Sequence, residues 1–100
     1  MATYTFSMRS KVWADKQVAG WHFVTLPVKQ SAQIRRALGP SPKTTGGIAV
    51  VATIGRTSWK TSLYIPPKSR QYVMALKADV RKKEGVVAGN LIDYSVKLTA

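Results

Sequence analysis

Apolar and polar residues alternate along most of the chain. From Thr3 to Val12, Tyr4, Phe6, Met8 and Val12 fall on one side, while Thr3, Thr5, Ser7, Arg9 and Lys11 fall on the other. That period of two predicts a half-buried strand. Asp15 to Gly20 reads as a turn, and Trp21-His22-Phe23-Val24-Thr25-Leu26 as a second strand rich in aromatic and β-branched residues, closed by Pro27. Ser31 fits the N-cap of a short helix, Ala32 to Leu38, with Ile34 and Leu38 on one face and Gly39 at its end. A loop rich in proline, glycine and threonine follows, Gly39 to Gly47.

The second half repeats the alternation. Ile48, Val50, Ala52 and Ile54 share one face of a strand. Gly55-Arg56 sits where a two-residue hairpin turn belongs. Thr57 to Ile65 returns with Trp59, Thr61, Leu63 and Ile65 on one face, and Pro66-Pro67 closes it. Tyr72 to Leu76 reads as a short strand, Ala78 to Glu84 as a short helix ended by Gly85, and Gly89-Asn90 as the turn before a last strand, Leu91 to Thr99. Six strands and two short helices in one domain, residues 1–100, predict a mainly β fold, a small barrel without exposed sheet edges. The expected core is Phe6, Trp21, Phe23, Ile34, Val50, Ile54, Trp59, Leu63 and Val96, with Trp13 left open between core and surface. Phe23–Leu26 leading into Ile34–Gly39 echoes Tyr72–Ala75 leading into Val80–Gly85. The echo is either a duplicated half-barrel with pseudo-two-fold symmetry or a coincidence between two short strand–helix units.

Composition adds the electrostatics. The 100 residues carry 16 Lys+Arg against 4 Asp+Glu, a net charge of +12. The excess is shared evenly between the two halves, so it belongs to the folded surface rather than to a basic tail. The densest clusters are Arg81-Lys82-Lys83 and Arg35-Arg36. A field of this sign attracts polyanions, and it also fits a merely soluble basic surface. Arg81-Lys82-Lys83 falls at the end of its predicted helix, where cations suit the negative end of the dipole.

The chemistry for catalysis is sparse. There are no cysteines and a single histidine, His22, set in an aromatic strand, and the carboxylates are Asp15, Asp79, Glu84 and Asp93. No nucleophile motif and no convergent metal spacing accompany them. The loop Gly39-Pro40-Ser41-Pro42-Lys43-Thr44 has Pro42 where a phosphate-binding loop needs glycine. The expectation is a non-catalytic chain without metal or cofactor. No apolar run approaches the ~20 residues of a membrane span, so no membrane partner is expected, and the default location is the cytoplasm.

Three runs carry a resemblance: Trp21-His22-Phe23-Val24-Thr25-Leu26-Pro27, then Thr53-Ile54-Gly55 with Thr57-Ser58-Trp59-Lys60-Thr61-Ser62-Leu63, then Leu76-Lys77-Ala78 with Val80-Arg81-Lys82 and Glu84-Gly85. Their order over nearly the whole chain resembles the family catalogued as domain of unknown function nineteen hundred and five. The resemblance implies a double-split β-barrel and no established activity. Two departures stand out: Gly89-Asn90 where the family commonly has Gly-Asp, and Met74-Ala75 where it commonly has Leu-Pro. Both suit the same backbone. The second half also looks like the AbrB-type swapped-hairpin regulators, which bind DNA as dimers.

Two functions follow as expectations. One is a module binding nucleic acid or another polyanion through Arg35, Arg36, Arg81, Lys82 and Lys83, with phosphate contacts supplying affinity. The alternative is a protein-interaction or small-ligand module with no nucleic-acid role. A monomer or weak dimer suits either.

Overall fold

The computed structural model describes residues 3–17, 20–38 and 47–99. Strands β1 (Thr3–Ala14) and β2 (His22–Thr25) lead into helix α1 (Val28–Leu38). Strands β3 (Ile48–Ile54), β4 (Thr57–Tyr64) and β5 (Val73–Leu76) come next, then helix α2 (Ala78–Glu84) and strand β6 (Leu91–Thr99). Pairing closes them into a barrel in the order β1-β2-β5-β4-β3-β6, every neighbour antiparallel. Mainly β, six strands and two helices: the architecture is the one the alternation predicts. Most of the predicted Gly39–Gly47 loop lies outside the described residues. No helix among the described residues is long and apolar enough to cross a membrane.

The alternating faces meet inside. Val12, Val24, Val50, Ala52, Ile54, Trp59, Leu63, Met74, Ile92, Tyr94, Val96 and Leu98 are buried in one core, with Ile34 of α1 and Val80 of α2 packed into it. Gly55-Arg56 makes the two-residue turn between Ile54 and Thr57, which pair directly. Gly55 has φ 56° and its Cα faces the Glu84 carboxylate, so a side chain there meets both a left-handed backbone and that carboxylate. Glu84 accepts a hydrogen bond from the Thr57 hydroxyl at 2.6 Å and so ties α2 to this hairpin, rather than pairing with Arg81 or Lys83 of its own helix.

Three expectations need correction. Helix α1 starts at Val28, ahead of the predicted Ala32, because the Ser31 N–H already closes a helical bond onto the Pro27 carbonyl at 2.9 Å. Pro27, two residues past β2, stands immediately before the helix, where its missing N–H costs no helical bond. Ser31 is therefore not an N-cap. It is fully buried, accepts the Tyr72 N–H at 3.1 Å and donates to the Leu26 carbonyl at 3.4 Å, extending the β2–β5 ladder past the strand ends. Ser31→Ala strands the buried Tyr72 N–H, and we expect a loss of roughly 1–3 kcal/mol in urea unfolding; a variant as stable as the parent refutes this role.

The second correction is Trp21, expected in the core and found 54% exposed. It precedes β2, and its indole stacks on Phe23 at 5.9 Å between centroids. Phe23 is buried as expected, but on the outer face of the barrel: it neighbours Val24, which points inward, and lies beneath Trp13 at 4.8 Å. Trp13 itself is 39% exposed and donates its indole N–H to the Thr25 hydroxyl at 3.0 Å. The third is Phe6, half-buried at the margin of the core.

The internal echo extends to the topology. Exchanging β1 with β4, β2 with β5 and β3 with β6 returns the same closed ring, so the strand order itself has a two-fold. The sequence echo, which sets Phe23 against Tyr72, moves by one residue, because Val24 and Met74 both face the core: Phe23–Leu26 aligns with Val73–Leu76, placing Gly20 against Arg70, Trp21 against Gln71 and His22 against Tyr72. The registers of Val12 with Val24 and of Leu63 with Met74 extend the match to Val12 against Leu63 and Ser10 against Thr61.

Candidate functional site

Helices α1 and α2 follow β2 and β5, which are antiparallel partners, so the two helices leave the barrel at opposite ends. Arg35 and Arg36 fall in the last turn of α1, and Arg81, Lys82 and Lys83 in the last turn of α2. The five basic residues singled out in the sequence thus form two separate groups rather than one patch. Arg35, Arg36, Lys82 and Lys83 are exposed, and Arg81 is half-buried.

Arg35 and Arg81 are tied down in related ways, although the strand alignment sets Arg81 against Ser31, one helical turn before Arg35. Arg81 donates from Nη2 to the Gly20 carbonyl at 3.0 Å and from Nε to the Leu76 carbonyl at 3.2 Å. Arg35 donates from Nη1 to the Arg70 carbonyl at 2.9 Å. Gly20 and Arg70 are two-fold equivalents, so each helix sends an arginine to the loop that precedes the central strand of the other half. The match extends one residue further. Arg81 Nη1 lies 3.4 Å from His22 Nε2, and at the equivalent place the charge of Arg35 acts on Tyr72, where it opposes the rise in the phenol's pKa caused by burial. His22 Nδ1 lies 3.1 Å from the Gly20 carbonyl. A carbonyl only accepts, so Nδ1 carries the proton and Nε2 accepts from Arg81.

The halves differ in what surrounds the clamp. Arg35 is itself exposed, but the equivalents of Trp21 and His22 beside it are more enclosed: Gln71 is half-buried, its side-chain amide donating to the Leu26 carbonyl at 3.1 Å, and Tyr72 is buried. Around Arg81 a cleft of about 380 Å³ remains open, lined by Gly20, Trp21, His22, Thr61, Lys77 and Arg81 over a floor of Ala75, Leu76 and Ala78. No carboxylate lines it. The half-buried Arg81 spends three N–H groups on its clamp, leaving one free on each terminal nitrogen. His22 is half-buried, as a strand residue at that place should be.

The sequence reading missed Trp21, His22 and Lys77 as neighbours of Arg81. The available signal was positional: Trp21 follows Gly20 at the mouth of a strand, where alternation has not yet assigned a face.

Elsewhere the surface offers little acid–base chemistry. Arg9 and Asp93 pair across β1 and β6 with bonds of 2.7 and 3.2 Å, both side chains solvent-exposed. The hydrogen bond from Arg9 holds the Asp93 carboxyl below its ordinary value, so this small contribution is present at neutral pH and fades as pH falls. Among the described residues no group of His, Asp and Glu is placed to hold a metal ion.

These features define a class: a small, strongly basic, closed β-barrel whose strand order has an internal two-fold, with an arginine reaching across from each helix and an open cleft beside Arg81. The chain belongs to the family Domain of unknown function (DUF1905), whose model matches residues 9–96. No curated protein and no solved structure matches it.

Proposed function

We propose that the barrel is a non-catalytic binding module for polyanions, with nucleic acid as the target. One observation carries this reading. The net charge is +12, yet Arg9–Asp93 is the sole ion pair among the described residues, so most of the basic groups face water uncompensated. Such a surface gathers phosphates by releasing their counterions. Arg36 at one end of the barrel, and Lys82 and Lys83 at the other, reach the phosphates, while Arg35 and Arg81 hold the helices that carry them. α2 has seven residues, too short to lie along a groove as a reading helix, so contacts to the backbone dominate over base reading.

The test is retention on heparin and on DNA across a salt series, with Lys82→Gln/Lys83→Gln beside the parent. The double variant should stay folded, with a stability change of only tenths of a kcal/mol from the lost helix-end charges. It should bind DNA more weakly, with the salt slope reduced by up to ~2. Equal affinity and an unchanged slope at matched salt remove the α2 site, and a flat salt response of the parent removes the polyanion reading altogether.

A further inference from the structure

The open cleft beside Arg81 has no place in a purely electrostatic surface. We infer that it is a nucleotide site, seating a flat base on Trp21 and the adjoining phosphate on Lys77 and the free N–H groups of Arg81. The inference rests on the polyanion reading for the class of anion, and adds a defined place and a requirement for a base.

Four observations converge on that chemistry. The cleft has two cationic side chains and no carboxylate, so its occupant is an anion. Its remaining lining is the Trp21 indole, the His22 ring, the Thr61 hydroxyl, Gly20 and the aliphatic Ala75, Leu76 and Ala78, which suits a planar aromatic body rather than a bare inorganic ion. Trp21 is 54% exposed although Phe23 already supports it by stacking, so the ring is held in place with area to spare. And the guanidinium of Arg81 is fixed by Leu76, Gly20 and His22 before any ligand arrives, which lowers the ordering cost of binding a phosphate.

The strand two-fold places a more enclosed counterpart of this cleft in the other half, where Gln71 is half-buried and Tyr72 buried. There Gln71 stands for Trp21, Tyr72 for His22, Pro27 for Lys77 and Ser10 for Thr61. In that half Tyr72 is buried, and Ser10 shares a hydrogen bond with the Tyr94 hydroxyl at 2.8 Å. Each half sends one arginine across to the other, Arg35 from one helical turn beyond the Ser31 that aligns with Arg81, so holding the fold together accounts for the arginine. It does not account for the exposed indole and the lysine, which only the open half has.

Base-on-indole stacking with a flanking cation serves a free nucleotide and one unit of a single strand alike. Backbone amide and indole NMR signals of the parent protein are followed during titration with adenosine monophosphate, with a short oligothymidylate, with a duplex of equal charge and with inorganic phosphate. The expected result is saturable shifts of Trp21, His22, Lys77 and Arg81 with the nucleotide or the single strand, and weaker shifts there with the duplex. Trp21→Gln, which installs the residue of the other half, and Lys77→Gln should each weaken that binding about tenfold with an unchanged melting temperature. Saturation by the mononucleotide alone identifies a free nucleotide; shifts only with the oligomer identify a strand. Inorganic phosphate giving the same shifts as the nucleotide overturns the role of the base. DNA binding with a steep salt slope, but with the cleft signals unmoved and Trp21→Gln without effect, overturns the cleft and leaves the polyanion reading standing. Nucleotide binding in the cleft without retention on heparin or duplex does the reverse.

Discussion

Trp59→Ala should cost roughly 3–5 kcal/mol, a large share of the stability of a domain this size. Trp59 is 9% exposed in the barrel core, and the residue paired with it across the β3–β4 hairpin is Ala52, fully buried and too small to fill the gap. Its indole N–H is the one buried side-chain polar atom with no hydrogen-bond partner among the described residues. The orphan donor already costs stability, so Trp59→Phe keeps most of the ring, removes the donor, and should lose less than half as much. Urea unfolding of both variants checks this. Equal losses would mean that the indole N–H finds a partner, and wild-type stability of the alanine variant would remove Trp59 from the core.

The second large effect is a loss of stability at alkaline pH. Burial pushes the Tyr94 hydroxyl up from 10.0 to about 12, against a smaller downward pull from its hydrogen bond with Ser10. Below pH 10 the phenol is protonated whether the chain is folded or not, and stability is full. Between pH 10 and 12 the unfolded chain releases the proton while the folded chain keeps it. Stability therefore falls by ~1.4 kcal/mol per pH unit, about 3 kcal/mol in all. Burial raises Tyr72 in the same direction and adds to the slope. Denaturation midpoints from pH 9 to 12 should drop accordingly, and Tyr94→Phe should flatten most of the decline while losing the Ser10 bond at every pH. A Tyr94→Phe variant that keeps the parent's pH slope would show that the group responsible lies elsewhere.

Membership of a family without an assigned activity leaves the site to be argued from geometry, and here the geometry redistributes the sequence's candidates. Arg35 and Arg81 looked equivalent to their neighbours Arg36, Lys82 and Lys83 because a basic run carries no mark of which member is occupied. The bond from Arg81 to the Gly20 carbonyl spans 61 residues of sequence, and that from Arg35 to Arg70 spans 35. Such contacts exist only once the ring has closed.

What the sequence determined by itself is local. Period-two alternation sorts residues onto two faces within each strand, so the strands, the hairpin at Gly55-Arg56 and core positions such as Val50, Leu63 and Val96 were legible without any knowledge of their partners. Proline and glycine marked the element ends for the same reason, since their backbone restrictions act within a residue or two. Alternation does not say whether a second apolar face is also covered, and that is why Phe23 could be buried outside the barrel, and Trp21 exposed beside it, without disturbing the pattern. The cleft needed more still: β2 laid antiparallel against β5, and α2 carried to the segment before β2, so that Arg81 meets Gly20, Trp21 and His22. Those are relations between distant segments, and packing in three dimensions decided them.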